Sequence, residues 1–215
     1  MQYKRIWLAG YLAICTLTPP LNGQNAWERI FNGKDMSGWE HVGPGHFTVD
    51  NGMLRTHGGM GLLWYTNKPI GNAVLRVVFK TSKPGNNSGV FIRIDGKPMD
   101  QWHGVHRGYE IQIFNEGDPW HATGAIYSIS KVAKNASNPT GEWNMLEITL
   151  DGPKTIVHLN GQKVNEYIEG SLVPERKHDY EPIRGRRPDL GYIGLQNHDK
   201  ETSVFFKEVS IRPLN

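Results

Sequence analysis

The sequence predicts an all-β fold, a two-sheet antiparallel jelly-roll sandwich, on three observations. Short runs of alternating apolar and polar residues recur along the chain, separated by Gly, Pro, Asn and Asp, as in half-buried strands joined by turns. Two Asn-Gly dipeptides, Asn51-Gly52 and Asn160-Gly161, each lie between such runs. Asn-Gly suits a two-residue hairpin turn because both central residues must take positive φ. No window carries apolar residues at helical spacing for long enough to make a long amphipathic helix. Many short strands with turns between them fit two packed sheets.

The elements follow in order. Phe31 to Trp39 is a turn-rich opening. Phe47 to Asp50 and Met53 to Arg55 form a hairpin about Asn51-Gly52. Ala73 to Thr81 is a long strand, with Val74, Arg76, Val78 and Lys80 alternating against Leu75, Val77 and Phe79. Ser88 to Ile94 and Gly108 to Ile113 are two more strands. Ser130 to Ala136 reads as a single turn or a loop. Trp143 to Leu150 is a strand ending at the Asp151-Gly152 turn. Thr155 to Leu159 and the run to Val164 make the second Asn-Gly hairpin. Residues 170–190, rich in Pro, Arg and His, form a long excursion, and such loops in compact domains are commonly functional. Gly191 to His198 and Ser203 to Arg212 close the chain as strands.

Successive side chains of a strand face opposite ways. Val90, Ile92 and Ile94 are therefore expected on a core face, with Phe91 and Arg93 opposite. Tyr109, Ile111 and Ile113 face the core, with Glu110 and Gln112 opposite. Ile193 and Leu195 do the same, with Tyr192, Gly194, Gln196 and His198 opposite. If these strands share a sheet, Arg93, Glu110, Gln112, Gln196 and His198 line one groove. That set can fix, protonate and deprotonate a polyhydroxylated molecule.

The 215 residues suit one domain, 24–215, behind a signal peptide at 1–23. Lys4 and Arg5 precede an apolar run, Ile6 to Leu17, too short for a comfortable span, and Pro19-Pro20 ends it. The expected destination is periplasmic or secreted, with no membrane partner once the signal is removed. The only cysteine is Cys15, inside that segment, so the mature chain has no disulfide, thiol nucleophile or cysteine zinc site. The net charge of +3 and the short cluster Arg184-Gly-Arg-Arg187 give no nucleic-acid signature, and the cluster reads as a solvated loop. Seven Trp and eight Tyr supply platforms for sugar rings as well as core.

Several segments together carry a family resemblance: Phe31-Asn-Gly-Lys-Asp-Met-Ser-Gly-Trp39, Asn87-Ser-Gly-Val-Phe-Ile-Arg93, Gly108-Tyr-Glu-Ile-Gln-Ile113, Thr123-Gly-Ala-Ile-Tyr127, Gly141-Glu-Trp-Asn144, Leu159-Asn-Gly161 and Gly194-Leu-Gln-Asn-His198. Their order and number resemble the 3-keto-disaccharide hydrolase family, from about Trp27 to Leu214. The resemblance implies a concanavalin-A-like, laminarinase-related sandwich acting on sugars oxidised at C3. It therefore implies a small-molecule glycoside or oligosaccharide as partner.

A 3-keto group makes the hydrogen on C2 acidic. A base removes it, an enolate forms, and the C1 substituent leaves; water can then add, giving net hydrolysis. The chemistry needs a base, a group to polarise the C3 oxygen and an acid for the leaving group. The expected assignment gives Glu110 or His198 the base role and Arg93 the oxyanion role. Tyr127 or a second histidine is the acid. Substrate contacts are expected from Gln112, Gln196, Asn87, His106, His121, Trp102 and Trp120, although the two tryptophans could equally pin their loops. His103, His106 and His121 lie in loops around Glu110 and leave a divalent metal possible, with no standard zinc spacing. Two alternatives stand beside this reading. One is a non-catalytic carbohydrate-binding domain. The other is a conventional glucanase, which requires a carboxylate pair such as Glu110 and Glu147.

Overall fold

Alternation in the sequence becomes two antiparallel sheets in the computed structural model, which describes residues 26–214. The expected signal peptide, 1–23, lies outside the described residues. Strands are numbered in chain order. The larger sheet runs β11 (Gln162–Ile168), β10 (Lys154–Leu159), β9 (Asn144–Asp151), β6 (Ala73–Thr81), β13 (Val204–Pro213), β4 (Met53–His57), β3 (His46–Asp50), with β1 (Glu28–Arg29) also paired to β13. The smaller sheet runs β2 (Trp39–Val42), β5 (Gly61–Tyr65), β12 (Tyr192–Asn197), β7 (Ser88–Ile94), β8 (Tyr109–Ile113). Both Asn-Gly hairpins form. Asn51 and Gly52 take φ of 51° and 79°, and Asn160 and Gly161 take 51° and 77°, the positive values that such turns require.

The core lies between the sheets. Leu75, Val77, Phe79, Leu146, Ile148 and Phe206 of the larger sheet meet Leu63, Val90, Ile92, Ile111, Ile113 and Leu195 of the smaller one. The smaller sheet also covers its outer face, where Leu62, Trp64, Phe91, Ile94 and Val105 form a second apolar cluster. Its strands β5, β7 and β8 are consequently buried along their whole length. Strand β5 reads Gly-Leu-Leu-Trp-Tyr, with no alternation, and period-2 patterning does not mark it.

Residues 103–107, expected as loop, form a short helix, α1 (His103–Arg107). It seats its Gly104 directly on Phe91, where an added Cβ would come within 2.9 Å of the ring. The helix thereby becomes a wall on the outer face of the smaller sheet. Ser130 to Ala136 is a loop carrying one bridge, Ile126 to Ser130.

Arg93 does not face the groove. Pairing between β7 and β12 shifts between Tyr192 and Gly194: Tyr192 opposes Ile94, and Gly194 opposes Phe91, so β7 carries one extra residue. Such a bulge reverses the alternation beyond it. Arg93 takes φ 53° at this point, and Ile94 is moved to the outer face. The Arg93 side chain is fully shielded. It donates to the carbonyls of Gly152 at 2.6 Å and Pro188 at 3.3 Å, and meets Asp189 Oδ1 at 3.3 Å. Arg93 therefore ties the smaller sheet to the β9–β10 turn and is withdrawn from the oxyanion role. Glu147 also leaves the groove: it belongs to the other sheet and pairs with Arg76 at 2.8 Å.

The Arg184–Arg187 cluster is not simply solvated. Arg187 is buried and donates to the carbonyls of Gly108, Gly185, His106 and Ile183. Arg184 donates to Pro174 and Pro182 carbonyls and to Glu181 Oε2 at 2.9 Å. These arginines hold residues 170–190 without any strand or helix.

Removing the Arg93 charge would leave buried carbonyls unpaired, a costly change for a shielded group. Arg93→Met is expected to lower the unfolding free energy by about 3 kcal/mol in urea titration. Arg93→Lys recovers little, because an ammonium cannot reproduce the planar fork of donors.

Candidate active site

Strand alternation on β8 sends Tyr109, Ile111 and Ile113 into the core and turns Glu110 and Gln112 outward. Beside them Gln196 and His198 rise from β12 and the residues just beyond it. Together they enter a cavity of about 440 Å³ on the outer face of the smaller sheet. Helix α1 contributes Val105 and the preceding Trp102 to one side. Asn87, Phe114, His121 and Tyr127 come from the loops about β7 and β8, and Met60 and Tyr180 complete the lining.

Glu110 is the floor of this cavity. Gly89 on β7 leaves room for its side chain: an added Cβ there would sit 2.6 Å from both Glu110 Cγ and Oε1. The carboxyl is wholly buried, and burial pushes its pKa up to about 8, against a smaller opposing effect from the Gln196 amide. Near neutral pH the group is therefore largely a carboxylic acid. Gln112 donates to Asn87 Oδ1 at 2.8 Å, which orients its amide. The side-chain oxygens of Gln112 and Gln196 are both buried with no hydrogen-bond partner. Buried acceptors of this kind are normally satisfied, and hydroxyl donors of a ligand would satisfy them.

Two histidines stand at the rim, each braced by an aspartate. His198 Nδ1 lies 2.8 Å from Asp199 Oδ2, and His121 Nδ1 lies 2.8 Å from Asp118 Oδ2. Burial raises the Asp199 carboxyl, but the His198 ring, the Glu201 N–H and Thr202 together hold it below its ordinary value. The same contest at Asp118 is decided by the His121 ring and the Trp120 N–H, again downward. A carboxylate on Nδ1 favours the tautomer that leaves Nε2 able to accept a proton; at His198 that nitrogen is open, whereas at His121 it meets Ser128 Oγ at 3.4 Å. Tyr127, next to His121 with ring centroids 5.3 Å apart, is pushed up to about 12 by burial first and then by Glu110 and Glu181. It remains a proton carrier throughout the neutral range.

Beyond Tyr127 the groove opens into a second cavity of about 540 Å³, which shares His121, Tyr127 and Tyr180 with it. Glu181, Arg184 and Trp120 line this extension. The excursion at 170–190, expected to border the groove, does so through Tyr180 and Glu181.

Of the expected residues, the fold gathers Glu110, Gln112, Gln196, His198, Tyr127, His121, Asn87 and Trp102 about one cavity. Trp120 lines the extension instead. His106 is diverted: its Nε2 binds the Asp179 carbonyl at 3.0 Å and its ring stacks on Trp102, so it anchors the excursion. Arg93 and Glu147 are elsewhere, and the Glu110–Glu147 pair does not form. Among the described residues, no group of three or more His, Cys, Asp or Glu side chains is placed to hold a metal ion. No motif marks the pairing of Asp118 and Asp199 with their histidines, although each sits within three residues of its partner. Tyr180 and Met60 carried no sequence signal.

A family model described as 3-keto-alpha-glucoside-1,2-lyase-like domain matches residues 26–212. Among solved structures, the chain is similar to two candidate glycosyl hydrolases from Parabacteroides distasonis. One is 27% identical, with 88% of this chain and 100% of that chain covered, at a TM-score of 0.72. The other is 23% identical, with 88% and 94% covered, at a TM-score of 0.74. The carbohydrate-binding module CBM66 from Bacillus subtilis shares the fold at 13% identity, with 80% and 93% covered and a TM-score of 0.55. No curated protein matches the chain. Among the described residues no helix is long and apolar enough to cross a membrane.

The Glu110 carboxyl binds its proton more tightly folded than unfolded, between its ordinary value of 4.5 and about 8. Its contribution to stability is therefore complete below about 4.5 and is lost as pH rises through about 8. Glu110→Gln is expected to raise the thermal midpoint, by more at pH 8.5 than at pH 5, in unfolding scans at both values. The gain at the higher pH is on the order of a few kcal/mol.

Proposed function

The chain belongs to the 3-keto-alpha-glucoside-1,2-lyase-like domain family, and from that membership we propose an exported enzyme that cleaves 3-keto-glycosides by 1,2-elimination. The observation that carries the proposal is the pairing of one buried, largely protonated carboxyl, Glu110, with a histidine whose Nδ1 is held by a carboxylate. Conventional glycoside hydrolysis uses two carboxyl groups across the scissile bond. Glu110 is the one carboxyl group lining the cavity of about 440 Å³, and the partner expected for it, Glu147, lies on the other sheet. Deprotonation beside a ketone instead needs a base, a donor to the carbonyl oxygen and an acid at the leaving group.

The residues fill those roles as follows. Gln112 and Gln196 accept hydroxyl protons of the sugar through their unpaired oxygens. Glu110, neutral, donates a hydrogen bond to the C3 oxygen and stabilises the enolate. His198 Nε2 takes the C2 proton, and Asp199 stabilises the imidazolium that results. The enolate electrons then form the C1–C2 double bond as the C1–O bond breaks, and Tyr127 gives its proton to the departing oxygen. His121 stands beside Tyr127 where the groove meets its extension, the direction in which the leaving group departs. Water adding across the double bond gives net hydrolysis. Export rests on the charged and apolar segment at 1–23, which fits a periplasmic or secreted enzyme with a small-molecule sugar ligand.

Mature protein incubated with a glucoside and with its 3-keto derivative is expected to cleave the keto form alone. Mass spectrometry should show a first product lighter by one water than the free keto sugar. Cleavage of the plain glucoside would overturn the proposal in favour of a conventional hydrolase, and binding of either without turnover would leave a binding domain. A chelator added in parallel reports any dependence on metal.

Glu110→Ala and His198→Ala are each expected to reduce kcat by about 100-fold or more, while Glu110→Gln, which keeps an N–H donor, loses less. The double variant retaining full turnover would remove both assignments. Because Glu110 acts protonated, kcat/KM should fall as pH rises through about 8. A rise through the same pH would make Glu110 the base.

A further inference from the structure

A second cavity, of about 300 Å³, lies on the other side of β8 from the groove. Its walls include Tyr109, the core-facing neighbour of Glu110, and Tyr167 and Glu169 at and beyond the end of β11. Ser171, Val173, Gly185 and the cationic Arg186, from the excursion, also line it. Both carboxylate oxygens of Glu169 are buried, and no donor meets them at full hydrogen-bond geometry, the Tyr109 hydroxyl being within looser reach. The Tyr109 and Tyr167 rings meet edge to face at 5.6 Å. Burial first, and then hydrogen bonding and charge from the neighbouring Glu169 and Tyr167, hold the Tyr109 hydroxyl well above the ordinary phenol value. The mechanism uses none of these groups.

A buried carboxylate with no well-aligned donor is under-satisfied, and a ligand hydroxyl would complete its hydrogen bonding. Clustered Asp, Glu and His side chains suited to a metal ion are not found among the described residues. The buried Arg187 guanidinium, 5.1 Å from the centre of the Tyr109 ring, adds a positive field that opposes a cation. A carboxylate can accept several hydroxyl donors, and each tyrosine hydroxyl can donate or accept. Val173 and Ile129 offer apolar surface beside them. Aromatic and apolar walls with a few convergent polar groups suit a small neutral ligand.

We propose that this cavity is a second saccharide site, which binds a neutral hexose unit through Glu169, Tyr109 and Tyr167 and performs no chemistry. The proposal stands apart from the catalytic reading. With no histidine and a single carboxylate among its lining residues, the site has no base and acid pair for elimination.

The test is amide chemical-shift mapping of the mature protein titrated with D-glucose and with maltose. Shifts are expected at Tyr167, Gly170, Ser171 and Gly185, in addition to any at Glu110 and Gln196. Glu169→Gln should abolish the first group and leave the second. Ser171→Trp, at the exposed rim of the cavity, should block it sterically, and it decides the matter alone if Glu169→Gln fails to fold. Sugar-induced shifts confined to the groove, or a set around residue 169 that survives both variants, would overturn the proposal. So would a response of those amides to potassium or calcium chloride with none to sugar.

Discussion

Strands β5, β7 and β8 of the smaller sheet are buried on both faces, and the rest of the molecule is arranged around that constraint. The sheet's inner face closes the core against the larger sheet. Its outer face needs its own cover, which helix α1, the loops about β8 and residues 170–190 supply. A cover made of loops cannot match the sheet's shape everywhere, and the groove is the space left between them. Glu110 owes its character to this double burial. On an ordinary solvated sheet face the same residue would be a carboxylate, a surface charge with no reason to hold a proton near neutrality.

Most of the fold was legible because strands announce themselves through period 2 and turns through Asn-Gly. The spans predicted for β6 and β7 coincide with those observed, and both hairpins appear where Asn51-Gly52 and Asn160-Gly161 placed them. The same arithmetic put Glu110, Gln112, Gln196 and His198 on one face. It failed at Arg93 because a bulge is one residue long and leaves no mark in an apolar and polar pattern. Strand β5 escaped for the opposite reason, since a strand covered on both sides has nothing to alternate. Helix α1 is little more than one turn, too short for any periodicity to be counted. Tyr180 entered the site from a loop whose path is decided by tertiary contacts alone.

The aspartates behind the two histidines show how local sequence can build a reactive group. Asp199 follows His198 directly, and its carboxylate is fixed by the N–H groups of Glu201 and Thr202 within the same turn. Asp118 is fixed in the same way by the Trp120 N–H. In each case a tight turn sets the carboxylate and the carboxylate sets the imidazole tautomer; the other nitrogen is open at His198 and meets Ser128 Oγ at His121. No long-range packing is needed for that orientation, so each pair works as a self-contained unit placed at the end of a strand or loop.

The arginine clamps on residues 170–190 act on one side of the peptide group only. Guanidinium groups from Arg176, Arg184, Arg187 and Arg93 occupy the carbonyl oxygens of Pro174, Asp179, Glu181, Pro182, Ile183, Gly185 and Pro188. Few amide protons of the segment have an acceptor, those of Ser171, Lys177 and Glu181 among them. Mechanical order and solvent protection are thereby separated. The segment can present Tyr180 to the groove as a fixed wall while its deuterium uptake resembles that of an unstructured chain. A protection map taken alone would class this stretch as mobile, while crystallographic displacement would class it with the sheets.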